Sequence, residues 1–258
     1  MGTAIVTFCD QGASVAERLR EWLDESQIYV HRSVDRRVDA KRFASIMTLA
    51  GKLFRQYRKI VFIAPCGLVV RAIAPHLNHK TVDPAVVLVD VGGRFAVSLL
   101  SGHEGGANQL ALQVANAISA EPVISTTTEA VKDLIVGVGC RRGVRAENVE
   151  FAIRQALRTA RVSLTQVRLL ASASLKANEA GLLQAAEKLE LPLRFISADE
   201  ILSTTKQFRH SRFVAGKVNL PGVAEPSALL AGRRTQLILP KTIFNHVTVA
   251  IARENFSW

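Results

Sequence analysis

Residues 101–111, SGHEGGANQLA, set a histidine, a carboxylate and three glycines between two apolar runs. His103 can exchange protons near neutral pH without a large perturbation. Glu104 beside it can serve as a base or orient the imidazole. Asn108, where a helix would begin, can donate a hydrogen bond to a developing oxyanion. Gly102, Gly105 and Gly106 allow the backbone to approach a ligand closely. These residue types suit acid–base work, yet the string also reads as a tight turn that needs small residues. By itself the motif marks a place without naming a reaction.

A second group of residues is cationic. Arg141 and Arg142 lie in GVGCRRG, a glycine turn before a helix, where two guanidinium groups and free N–H donors suit a carboxylate or phosphate. Two solvated arginines on a loop fit the same residues. Gly139 precedes them, and Lys176 follows the strand-like LLASASL, at the end of a strand where α/β proteins hold ligands. Arg71 and Lys80 flank a first crevice opened by the turn Pro65-Cys66-Gly67. His76 and His79 in HLNH have no third ligand nearby, so no protein metal site is expected. Glu225, ahead of Pro226, reads as a first-turn helix residue favoured by the helix dipole.

The run before His103 (Phe95 to Leu100) is a short apolar strand. The run after it has Leu110, Ala111, Val114 and Ile118 at helical spacing. Strand, glycine turn, helix is the connection of an α/β sheet, and such turns leave helix N–H groups facing whatever binds at the sheet edge. Further strands are expected at Ala4 to Phe8, Ile60 to Ala64, Ala85 to Asp90 and Pro122 to Ser125. The pattern restarts with strands at Leu134 to Val138, Val167 to Ala171, Leu193 to Ile196, Gln236 to Leu239 and Val247 to Ala252. Helices are expected at 15–23, 43–57, 68–74, 147–160, 179–189 and 225–231, with Asn178 as a cap. Residues 34–42 read as a polar, charged stretch, and 206–220 as basic and weakly patterned. The expected architecture is α/β, two three-layer αβα domains with mainly parallel sheets, over 1–131 and 132–258.

Of the 258 residues, 48% are hydrophobic, enough for a sizeable core. No apolar run approaches the roughly 18 residues of a membrane span. MGTAIVTF has no basic region ahead of its apolar stretch and reads as a first strand, which makes a cytoplasmic protein the expectation. Cys9, Cys66 and Cys140 are odd in number and far apart, so neither a disulfide framework nor a zinc site is indicated. The net charge is +11, unevenly spread: 14 Lys/Arg against 12 Asp/Glu in residues 1–130, and 19 against 10 in the remainder. That excess favours anionic partners. No basic run of five or more occurs and aromatic residues are only 6% of the chain, which argues against a nucleic-acid surface and for a small anionic ligand. No phosphate loop is present, and GVGCRRG has its third glycine one residue too late for a dinucleotide fingerprint.

The run CGLVVRAIAPHLNHKTVDPAVVLVDVGGRFAVSLLSGHEGGANQLA resembles the N-terminal domain of the CbiG family of cobalamin biosynthesis, the cobalt-precorrin-5A hydrolases. LIVGVGCRRGVRAENVEFAI, LASASLKANEAGLL, LPLRFISADEI, GVAEPSALL and LILPKTIFNHVTVAIAR resemble that family's C-terminal domain, also known as the stand-alone protein CobE. The motifs follow in order over roughly residues 60–127 and 134–253. The resemblance implies hydrolysis in the anaerobic route to vitamin B12. A δ-lactone on a cobalt macrocycle is opened and a two-carbon fragment leaves as acetaldehyde.

Cobalt then belongs to the substrate and no cofactor is needed. The partner is an anionic cobalt-containing tetrapyrrole whose acetate and propionate groups suit Arg71, Lys80, Arg141, Arg142 and Lys176. The assignment of His103 and Glu104 to the chemistry comes from residue type and not from the resemblance. Longer family members carry a segment between the TT stretch and GxGCRRG, whereas here TTTEA runs almost directly into VKDLIVGVGCRRG. A non-catalytic carrier of a corrinoid intermediate is the rival reading. Other pathway enzymes as partners and a homo-oligomer are left open, and no nucleic-acid or membrane partner is expected.

Overall fold

Apolar runs with no polar interruption become strands buried on both faces, as central parallel strands must be. In the computed structural model, which describes residues 2–209 and 220–255, the chain is a mixed α/β protein of two units, Met1–Thr126 and Thr127–Trp258. Each carries one sheet.

The first unit runs β1 (Thr3–Thr7), α1 (Asp10–Arg20), β2 (Gln27–His31), β3 (Lys41–Phe43), α2 (Ile46–Gln56), β4 (Lys59–Ile63), α3 (Cys66–Ile73), β5 (Ala85–Val89), β6 (Phe95–Leu100), α4 (Ala107–Ile118) and β7 (Glu121–Val123). Its sheet order is β3-β2-β1-β4-β5-β6-β7. All pairings are parallel except β5 with β6. One face packs on α1 and α4 through Ile5, Val61, Ile63, Leu19, Leu110 and Val114. The other packs on α2 and α3 through Val6, Phe62, Leu53 and Val69. Each fully buried Leu or Phe contributes about 1.5–3 kcal/mol over leaving it in water.

The reversal at β6 is made by a tight turn around Asp90. Its carboxylate accepts from the N–H groups of Gly92, Arg94 and Phe95. Burial pushes the Asp90 carboxyl up, but those donors and the Arg94 guanidinium outweigh it and hold the group below its ordinary value. This turn decides where the 101–106 segment emerges.

The second unit runs α5 (Thr127–Ala130), β8 (Leu134–Cys140), α6 (Ala146–Ala160), β9 (Val167–Ala173), α7 (Ala180–Lys188), β10 (Leu193–Ile196), α8 (Ala198–Ser203), α9 (Ala224–Leu230), β11 (Thr235–Phe244) and β12 (Val247–Glu254). Its sheet order is β10-β9-β8-β12-β11, with β8, β9 and β10 parallel and the β11–β12 hairpin antiparallel. α6 and α7 cover one face through Val149, Ile153, Leu157 and Leu182. On the other, α9 lies directly on β8, because the missing side chains of Gly137 and Gly139 make room. An added Cβ at Gly137 would come 1.9 Å from the Ala224 carbonyl, and one at Gly139 3.3 Å from Val223 Cβ.

Glu225 is buried in that interface, and its carboxylate accepts from Arg209 N–H at 2.6 Å and Lys241 N–H at 2.7 Å. It is a tie between segments, where the sequence suggested a dipole-favoured helix residue. Lys206 caps the other end of α9, donating to the Leu229 carbonyl at 2.5 Å and to Thr235 Oγ1 at 2.9 Å. Burial lowers its amine below the ordinary value, with Glu254 opposing. Of the basic stretch 206–220, residues 210–219 lie outside the described residues.

Candidate functional site

The register Val86↔Leu100 and Val89↔Ala96 returns the chain to the edge where β5 begins. The segment after β6 therefore meets the loop 77–84 that leads into β5. Ser101 Oγ donates to the Asp83 carbonyl at 3.2 Å. The Asp83 carboxylate accepts from Asn78 N–H at 3.1 Å. Lys80 Nζ donates to Glu104 Oε1 as an ion pair. Through that hydrogen bond Lys80 holds the Glu104 carboxyl below the ordinary carboxylate range. A carboxylate so stabilised is a weak proton acceptor at neutral pH. Glu104 thus fits the role of an anionic partner and not of a base. His103 and Glu104 are both exposed on the turn.

Three features differ from the expectations. First, the helix start is not open. The N–H groups of Gly105 and Ala107 are accepted by the Ser101 carbonyl, and that of Asn108 by the Gly102 carbonyl. Second, Asn108 is a clamp and not an oxyanion donor in this arrangement. Its Oδ1 accepts from Ser98 Oγ at 2.8 Å and its Nδ2 donates to Thr126 Oγ1 at 2.9 Å. Third, most of the glycines serve packing. A Cβ at Gly102 would meet Thr126 Cγ2 at 2.6 Å, and one at Gly105 would meet Ser101 Cβ at 2.3 Å. Only Gly106 of the three faces open space, at φ +84°, a conformation that favours glycine.

Gly67 and Arg71 do not join this edge. β4 and β5 are parallel and in register from Lys59↔Ala85 to Ile63↔Val89. α3 leaves the finish of β4, whereas the Lys80 loop leads into the start of β5, so about 13 Å of strand separates the two ends. Arg71 folds back on its own helix, donating to the Gly67 carbonyl at 2.9 Å. His76 is likewise apart from His79: its ring packs on Gly51 and Phe54 of α2. Among the described residues no group of three His, Cys, Asp or Glu is placed to hold a metal.

In the second unit the parallel strands β8 and β9 end at one edge. There stand Arg141 and Arg142, both exposed and with no ion pair or hydrogen bond among the described residues. Lys176 lies on the turn after β9 but is only 14% exposed, 4.0 Å from Glu179. It is an inward-facing partner and not the free cation expected. Gly139 faces Val223, so its glycine admits packing instead of a ligand. Burial pushes the Cys140 thiol up to about 11, with Lys176 partly opposing, which leaves it a neutral thiol.

Two residues at this edge escaped the sequence reading. His246 sits with Asn245 at the tip of the β11–β12 hairpin, both at positive φ, and Val247 pairs with Cys140. The signal was Asn-His between two apolar runs, a pair suited to a two-residue hairpin turn. The second is Glu179. At the opposite edge of this sheet, a cavity of about 290 Å³ is lined by Lys206, Gln207, Leu229, Thr235, Gln236 and Leu237. Its amine is spent on capping α9.

Residues 48–129 match the domain family described as Cobalamin synthesis G N-terminal, and residues 134–252 match Cobalamin synthesis G C-terminus. A cobalt-precorrin-5A hydrolase of Priestia megaterium is 25% identical over 352 aligned positions that take in 96% of this chain and 94% of that protein. That alignment is longer than the 258 residues present, so the relative carries inserted residues that this chain lacks. Protein CobE of Sinorhizobium sp is 35% identical over 128 residues, 49% of this chain and 83% of that protein. A crystal structure of CobE, a protein from the cobalamin (vitamin B12) biosynthetic pathway, aligns at 30% identity with a TM-score of 0.44, covering 48% of this chain and 92% of that one. Among the described residues no helix is long and apolar enough to cross a membrane.

Proposed function

Since the chain belongs to the CbiG family of cobalamin biosynthesis and carries both its N- and C-terminal domains, we propose that it is a cobalt-precorrin-5A hydrolase. The reaction is opening of the δ-lactone on the cobalt macrocycle, with cleavage of a carbon–carbon bond and release of acetaldehyde. The observation that carries this reading is the alignment over nearly the whole of a relative named for that activity. Cobalt enters within the substrate, and no separate cofactor is assigned.

Lactone hydrolysis needs a base to activate water, a stabiliser for the oxyanion and a proton donor. His103 is the group at the first-unit edge suited to move the proton. Glu104, kept ionised by Lys80, is the anionic neighbour of His103 on the same turn. Lys80 is the nearest cation for a developing oxyanion or a substrate carboxylate. In the second unit Arg141 and Arg142 have the free guanidinium forks that acetate and propionate groups call for.

The test is anaerobic incubation of the protein with cobalt-precorrin-5A, assaying acetaldehyde and the opened macrocycle. Native protein is expected to release acetaldehyde, and His103→Ala to lose at least about a hundredfold in rate, the usual share of a general acid–base. Equal rates would remove His103 from the chemistry. Binding of the macrocycle without turnover would point instead to a carrier, the reading to which the shortened chain lends its one support.

A further inference from the structure

Arg141 and Arg142 are only as well placed as the turn that carries them, and that turn is held from outside its own segment. Gly143 stands at φ +73°, and its N–H donates to Glu179 Oε1 at 2.8 Å. Glu179 occupies the N-cap position of α7, yet its side chain caps no N–H of that helix. Shorter Asp, Asn, Ser and Thr serve better at that position. The longer glutamate instead reaches across to the arginine turn. The first turn of α7 lies hard against the same segment, since a Cβ at Gly181 would come 1.9 Å from the Val144 carbonyl.

Glu179 is 9% exposed, and its second oxygen faces Lys176 Nζ at 4.0 Å. Burying a carboxylate costs free energy unless hydrogen bonds and a counter-charge offset it. Here one backbone donor and one distant amine supply that offset. The same two contacts tie the finish of β8, the turn after β9 and the start of α7 into one corner beneath the exposed guanidinium groups.

We propose that Glu179 is a positioning residue for substrate carboxylates: by holding Gly143 N–H and facing Lys176, it fixes the turn from which Arg141 and Arg142 bind them. The proposal rests on the functional reading above, in which the ligand is a polycarboxylated macrocycle. It assigns Glu179 no contact with the ligand. Lys176 becomes the counter-charge of Glu179 and not a ligand-binding cation.

The experiment measures binding of uroporphyrin, a macrocycle bearing acetate and propionate groups, to the full chain by fluorescence, alongside KM and kcat for cobalt-precorrin-5A. Arg142→Ala serves as the reference for a lost carboxylate contact. Glu179→Ala is expected to weaken uroporphyrin binding and raise KM about tenfold with kcat unchanged, the pattern of lost ground-state binding. Glu179→Gln keeps an oxygen to accept from Gly143 N–H and is expected to return both to within about threefold of native. If Glu179→Ala does not fold, Glu179→Asp carries the test, since it keeps the charge but falls one methylene short of the turn.

Native affinity in a folded Ala or Asp variant overturns the proposal, as does equal damage from Ala and Gln. Native protein that neither binds uroporphyrin nor releases acetaldehyde overturns the functional reading and the proposal together. Uroporphyrin affinity and KM that stay native in every folded Glu179 variant, with acetaldehyde still released, overturn the proposal alone.

Discussion

Glu225 shows what a single side chain can hold together. It is 2% exposed and its two oxygens accept from backbone N–H groups 16 residues away in either direction along the chain. Hydrogen bonds to a charged acceptor contribute about 1.5–3 kcal/mol each, and a donor left buried without a partner costs a similar amount. Glu225→Ala is therefore expected to cost about 3 kcal/mol or more, and Glu225→Gln about half of that. The measurement is the urea midpoint with an unchanged slope. Nothing in AEPSA distinguishes such a tie from an ordinary first-turn glutamate, because both partners come from distant segments. The same holds elsewhere in the sites. His103, Glu104, Arg141 and Arg142 were legible as chemical types on glycine turns. That Lys80 pairs with Glu104, or that Asn108 is spent on Ser98 and Thr126, required the reversed direction of β6 and the packing of α4.

Among the elements, legibility followed burial on both faces. β1, β5 and all of β8 but its last residue are buried throughout, and their apolar runs read directly as strands. β3 is three residues, KRF, with two exposed charges, and was lost in a polar stretch; as a short charged edge strand it discourages further pairing. β2 was also missed. β11 was read as four residues where ten are present, because Pro240 and Lys241 interrupt it at register shifts that an outer strand tolerates. The glycines of β8 carry a message of a different kind. Gly139 suggested a ligand turn and Gly137 a plain strand position, whereas the two together are the seat of α9. Gly137→Ala is expected to destabilise the protein by about 1–3 kcal/mol, since its Cβ would strike the Ala224 carbonyl and the helix must lift. Thermal unfolding checks this, and a wild-type midpoint would refute direct packing of α9 on the strand.

At the scale of the whole molecule, each unit has a core of its own. In residues 127–258 that core takes in both faces of the β8–β9–β12 sheet, with α6 and α7 on one side and α8 and α9 on the other. A five-stranded sheet covered on both faces can bury enough apolar surface to exceed the entropy of ordering about 130 residues. The fragment 127–258 is therefore expected to fold alone, with a single cooperative urea transition and slow amide exchange along β8 and β12. It keeps Arg141, Arg142 and the Glu179 tie, but not His103, Glu104 or Lys80. Under the proposed function it should bind uroporphyrin with a salt-sensitive affinity, because carboxylates meeting exposed guanidinium groups are screened by ions. It should release no acetaldehyde from cobalt-precorrin-5A. Turnover by the fragment would move the chemistry off the 101–106 turn and onto the second unit, where His246 would be the first residue to substitute.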